Sequence, residues 1–142
     1  MDRYIYPAIF EHDKDGYTIT FPDLPGCITC GETLEEAYLM AKDAIELHLY
    51  GMEQDNDEIP KPSLPETIKV EQDSFVTLVE AYMPLIRDEM ANKAVKKTLT
   101  IPKWLNDLGE ERKVNFSQLL QNALKENLGV HDYPPKKGKS TL

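Results

Sequence analysis

A β-strand with no second strand in its own segment is the strongest constraint in this chain. Ala94-Val95-Lys96-Lys97-Thr98-Leu99-Thr100-Ile101 alternates so that Leu99 and Ile101 point one way while Lys96, Thr98 and Thr100 point the other. Pro102 suits the first position of a helix running to about Arg112, whose apolar side is Trp104, Leu105 and Leu108. Asn115 caps a second helix, with Gln118 at the reciprocal position of a capping box. Phe116, Leu119, Leu120, Ala123, Leu124 and Leu128 share one face of that helix, and Gly129 ends it. An unpaired strand edge invites pairing, and roughly 40 residues cannot bury a sufficient core alone. Both difficulties vanish if two chains pair their strands antiparallel and interleave their four helices. The expected homodimer core is Leu99, Ile101, Trp104, Leu105, Leu108, Leu119 and Leu120. Lys96, Thr98 and Thr100 then form the outward face of a two-stranded ribbon, which fits the major groove of double-stranded DNA. Asn115 and Ser117, where the second helix starts, are expected to meet a phosphate.

A dimerisation unit that ignores DNA is the alternative, and charge argues against it. Residues 1–92 carry 20 Asp/Glu against 6 Lys/Arg, a net of -14. Residues 93–142 carry 5 Asp/Glu against 10 Lys/Arg, a net of +5, so the overall -9 conceals a split. Such asymmetry points to two modules with partners of opposite sign, a basic one for the front and an anionic one for the back. Residues 130–142, with Lys136, Lys137 and Lys139, are expected to be a disordered basic tail.

The front, residues 1–83, reads as βββαβ, an α+β sheet covered by one helix. Tyr4–Phe10 is aromatic and β-branched, and Pro7 predicts an edge strand or a bulge. A turn ending at Gly16 leads into the alternating Tyr17, Ile19 and Phe21, and after a Pro/Gly turn comes a short strand over Cys27–Gly31. Thr33 and Glu36 form a capping box, with Glu36 expected to accept from the amide of the cap itself. Leu34, Ala37, Tyr38, Ala41, Ala44, Ile45, His48 and Leu49 follow a helical stripe that Gly51 is expected to close. Residues 52–66 are an acidic, proline-stiffened connector, Phe75–Met83 is a buried strand, and 84–93 is a linker to the domain over 94–129.

Several function classes find no support. Three scattered histidines and the lone pair Cys27 and Cys30 do not make a zinc site, so no metal or cofactor is expected and the cysteines read as packing residues. Strand one offers no carboxylate between Tyr4 and Phe10 for two-metal phosphodiester chemistry, and nucleophile and phosphate-loop motifs are missing. No run is long and apolar enough to span a membrane, and no signal peptide opens the chain, which predicts a cytoplasmic protein. A ligand-sensing front domain on a DNA-binding regulator stays open as a second reading, and a DNA-tethered ribonuclease as a third.

The phrase Gly16-Tyr17-Thr18-Ile19-Thr20-Phe21-Pro22-Asp23-Leu24-Pro25-Gly26-Cys27, followed by Gly31-Glu32-Thr33-Leu34-Glu35-Glu36-Ala37, resembles the HicB antitoxins. Residues 95–128 resemble the ribbon-helix-helix domain that many of them carry. The resemblance implies a partner, a HicA-type toxin, which is a small basic ribonuclease that cleaves mRNA. It also implies a front domain like a degenerate ribonuclease H sheet that covers the toxin's active site. The back domain would repress the operon by binding operator DNA as a dimer, with larger assemblies left open. Toxin-contact residues have no short sequence signature and stay unassigned.

Overall fold

The computed structural model describes residues 1–131, so the expected basic tail from residue 132 onward lies outside the described residues. Contacts divide the chain into one unit over Met1–Arg87 and a second from Asp88 onward.

The first unit is a four-stranded antiparallel sheet in the order β3-β2-β1-β4, built from β1 (Arg3–Asp13), β2 (Gly16–Thr20), β3 (Ile28–Gly31) and β4 (Ser74–Tyr82). Period-two alternation sends Tyr6, Ala8, Phe10, Ile19, Val79 and Ala81 to one face. The long helix α1 (Leu34–Gln54) covers them with Ala37, Ala41, Ile45 and Leu49, all fully buried. Burial of side chains such as Ile45 and Leu49 contributes about 1.5–3 kcal/mol each. The small residues let the helix sit close: a Cβ on Gly31 would come within 2.5 Å of the Ala37 backbone nitrogen. The opposite face of the sheet carries Ile5, Ile28 and Leu78, all exposed.

Pro7 is not on an edge strand. It lies in β1, which has β2 on one side and β4 on the other. The β2 ladder begins only at Ile9, so the β2 side of β1 is open at Pro7. Opposite Pro7 stands Leu78, and the outward bonds of Glu80 and Tyr82, two and four residues on, put Leu78's own backbone groups on the outer side of β4. Pro7 therefore removes no ladder bond.

Other local expectations shift in the same physical way. α1 runs through Gly51, and Asp55 caps it, because Met52 packs against the core and extends the stripe by a turn. Thr33 accepts from the Glu36 amide at 3.1 Å, but Glu36 returns its bond to Glu32 at 3.0 Å rather than to Thr33. Cys27 packs in the core, whereas Cys30 is exposed, since β3 is an edge strand and the side chain falls on the uncovered face. The expected linker 84–93 is largely helical, as α2 (Met83–Ala91), with Met83 buried. Arg87 pins that helix: its guanidinium donates to Glu53 at 2.6 Å and to Asp2 at 2.7 Å. Its hydrogen bonds to Glu53 foremost, then to Asp2, push the Arg87 pKa further above its usual value although burial opposes them.

In the second unit α3 (Lys103–Glu111) and α4 (Phe116–Leu128) lie where the periodicity places them, with Pro102 as the cap of α3 rather than its first residue. Segment 94–101 belongs to no ladder, contrary to the strand expected there. A ladder needs a second strand, and the described residues of the second unit provide none.

Candidate nucleic-acid interface and acidic surface

Segment 94–101 presents Lys96, Thr98 and Thr100 to solvent, and in the single chain Leu99 and Ile101 are exposed as well. Burial thus does not separate the two sets of side chains. Trp104 is 68% exposed, and Leu105, Leu108 and Leu119 are also exposed, with Leu120 half-buried. No residue between Asp88 and His131 is fully buried. The helices touch where Phe116 lies over Gly109, so closely that a Cβ there would come within 2.7 Å of the ring. The single chain does not gather the expected dimer-core residues into a core.

Asn115 Oδ1 accepts from the Gln118 amide at 2.9 Å, as an N-cap should. Gln118 does not return a bond to the cap; its side-chain amide donates to Asn122 at 3.0 Å instead. The Phe116 and Ser117 amides are left without intrahelical partners, as at any helix start. Ser117 is exposed beside them. Free amides at a helix start are chemically suited to an anion.

The first unit differs in sign and in packing. Met1–Arg87 holds 18 Asp/Glu against 6 Lys/Arg, a net of -12. Asp23, Asp55, Asp57 and Glu58 line a cleft of about 670 Å³ together with His48, the one polar residue of the helical stripe. Asp23 accepts from the Ser63 amide and hydroxyl at 2.9 and 2.6 Å, and Tyr6 donates its hydroxyl to the Pro60 carbonyl. These bonds fasten the acidic connector onto the sheet. Among the described residues no group of three or more His, Cys, Asp or Glu is placed to hold a metal ion. No helix among them is long and apolar enough to cross a membrane.

A second feature of this unit escapes the sequence pattern. Leu34 and Tyr38, expected on the buried stripe, are exposed and line a groove of about 510 Å³ with Phe10, Leu39 and Phe75. The pattern shows which helix face is apolar but not how far the sheet beneath extends.

Comparison with known proteins adds the family. The model for the HicB-like antitoxin of bacterial toxin–antitoxin systems matches residues 6–123. An uncharacterized 14.9 kDa protein of Haemophilus phage HP1 is 37% identical over 101 residues, covering 71% of this chain and 75% of that protein. The antitoxin HicB of Escherichia coli K12 is 30% identical over 125 residues, covering 82% of this chain and 90% of that protein. A chain in a toxin–antitoxin complex from Streptococcus pneumoniae superposes with a TM-score of 0.58 at 28% identity, over 88% of this chain and 99% of that one. With the family model spanning most of the chain and the E. coli relative aligned across both units, this protein belongs to the HicB-like antitoxin family.

Proposed function

We propose that this chain is a non-enzymatic antitoxin that neutralises a HicA-type toxin through its first unit and represses its own operon through its second. The carrying observation is the contrast between the units: an acidic, well-packed one, and one that buries none of its described residues and displays its leucines and its tryptophan. A segment with that apolar surface gains most by pairing with a copy of itself. Two antiparallel copies of segment 94–101 would form a ribbon, and α3 and α4 of both chains would bury Leu99, Ile101, Trp104, Leu105, Leu108, Leu119 and Leu120 between them. Lys96, Thr98 and Thr100 would then face base edges, while Asn115 and Ser117 hold the start of α4 against a phosphate. The acidic first unit suits a toxin that is itself basic because it binds RNA. Protein–toxin titration with an mRNA-cleavage assay, beside gel shifts on the DNA upstream of the operon, tests both halves. Tight toxin binding that stops cleavage, together with sequence-specific retardation, is expected. Persistent cleavage at excess antitoxin would remove the first half, and equal affinity for operator and scrambled DNA the second.

A further inference from the structure

The outer edge of β4 is only partly closed. Lys42 on α1 donates to the Glu80 carbonyl at 2.9 Å, and Glu46 accepts from the Tyr82 amide at 3.1 Å. These two helix side chains occupy the far end of the edge. Alternation puts the backbone groups of Val76 and Leu78 on the same outer side, and nothing among the described residues bonds to them. At the near end the Ser74 amide is already turned back onto Glu71, at 3.0 Å. The stretch that holds Val76 and Leu78 is therefore left open between two closed ends. Along this stretch runs the apolar groove of Phe10, Leu34, Tyr38, Leu39 and Phe75, with Leu39 56% exposed.

An open edge with a side-chain groove alongside is what strand addition uses: main-chain bonds supply affinity, and the groove takes alternate side chains. Two occupants compete, a second copy of this chain and a basic partner. Glu35 lines the groove, Glu71 and Asp73 lead into β4, and the unit has a net charge of -12. Edge-to-edge pairing of two such units brings like charges together, whereas a basic strand gains from them. We infer that β4 accepts an extended strand of the basic toxin between Ser74 and Leu78, with one of its apolar side chains in the groove.

This assignment rests on the proposed function, and the test separates the two. Full-length chain is titrated with a catalytically inactive HicA-type toxin, and amide exchange is measured with and without it. Val76→Pro removes an outward N–H that no β1 bond uses, and should weaken toxin binding at least about tenfold. Leu39→Ala should weaken it about tenfold to a hundredfold. Val76→Thr, which keeps the amide, should bind like the parent. The Val76 and Leu78 amides of the parent chain should become protected only when toxin is present, a readout that does not depend on any variant folding. If the parent binds toxin but those amides exchange as before, the strand-addition site is wrong and the antitoxin reading stands. Protection of the same amides without toxin would assign the edge to a second copy. A parent that binds no toxin would remove the proposed function itself.

Discussion

Truncating Leu119 to alanine tests whether the second unit completes its core with another chain. Full burial of a leucine contributes about 1.5–3 kcal/mol, and Leu119 is 56% exposed in the single chain, so about 0.8–1.7 kcal/mol is at stake per copy. A symmetric dimer loses that twice, about 1.7–3.4 kcal/mol, which raises the dissociation constant roughly 15-fold to 300-fold. Any unfilled cavity adds to the loss. The chain has one tryptophan, Trp104, so its emission on serial dilution reports this unit alone, with sedimentation velocity as the second measure. Gln121→Ala, on the exposed side of α4, is the control. The first unit's urea transition, followed by circular dichroism, should not move. Identical dilution curves for Leu119→Ala and the parent would refute the interleaved-helix dimer.

Thr98→Ala and Thr100→Ala should each cost operator binding about 1–3 kcal/mol while sparing nonspecific DNA affinity, read by paired gel shifts. If both bind operator like the parent, the register of the ribbon is wrong. Gly31→Ala should destabilise the first unit by about 1–3 kcal/mol in urea melts, because the new methyl meets the Ala37 backbone rather than a flexible side chain. A change below about 0.5 kcal/mol would mean that α1 can slide. Burial raises the Cys27 thiol from 9.0 to about 11, so the folded chain keeps a proton that the unfolded chain has released. Stability should therefore be intact below pH 9 and fall as pH rises toward 11, by about 2–3 kcal/mol, and that part of the slope should be missing in Cys27→Ala.

Much of the first unit was legible because its signals are local. The β1–β2 hairpin follows from Gly16 and the alternation of Tyr17, Ile19 and Phe21, and α1 from the Thr33 cap and the small apolar residues at 37 and 41. What escaped depended on the neighbours of each element. Pro7 signals an edge, but whether an edge is a whole strand or a few residues depends on where β2 stops. α2 was hidden because Met83-Pro84-Leu85-Ile86 continues the apolar run of β4, and the partners that hold Arg87, Glu53 and Asp2, lie far away in sequence. The groove beside β4 and its Lys42 and Glu46 closures join residues more than 30 positions apart, with no periodicity to mark them.

The second unit inverts this balance. Its helices and caps are local and were readable, yet segment 94–101, read as a strand, belongs to no ladder in the single chain. A folded first unit that draws its core from its own residues is stable at any dilution, whereas a ribbon made of two chains is stable only above its dissociation constant. Under the proposed function the two activities then respond differently to concentration. Toxin capture needs one folded unit, while operator binding requires the dimer as well, so operator binding fades first wherever toxin is held more tightly than the copies hold each other. The charge split runs the same way: the acidic surface belongs to the unit that needs no copy, and the lysine and threonines proposed to face DNA belong to the segment that would need one. A falling antitoxin level would thus release transcription while the remaining chains still hold toxin.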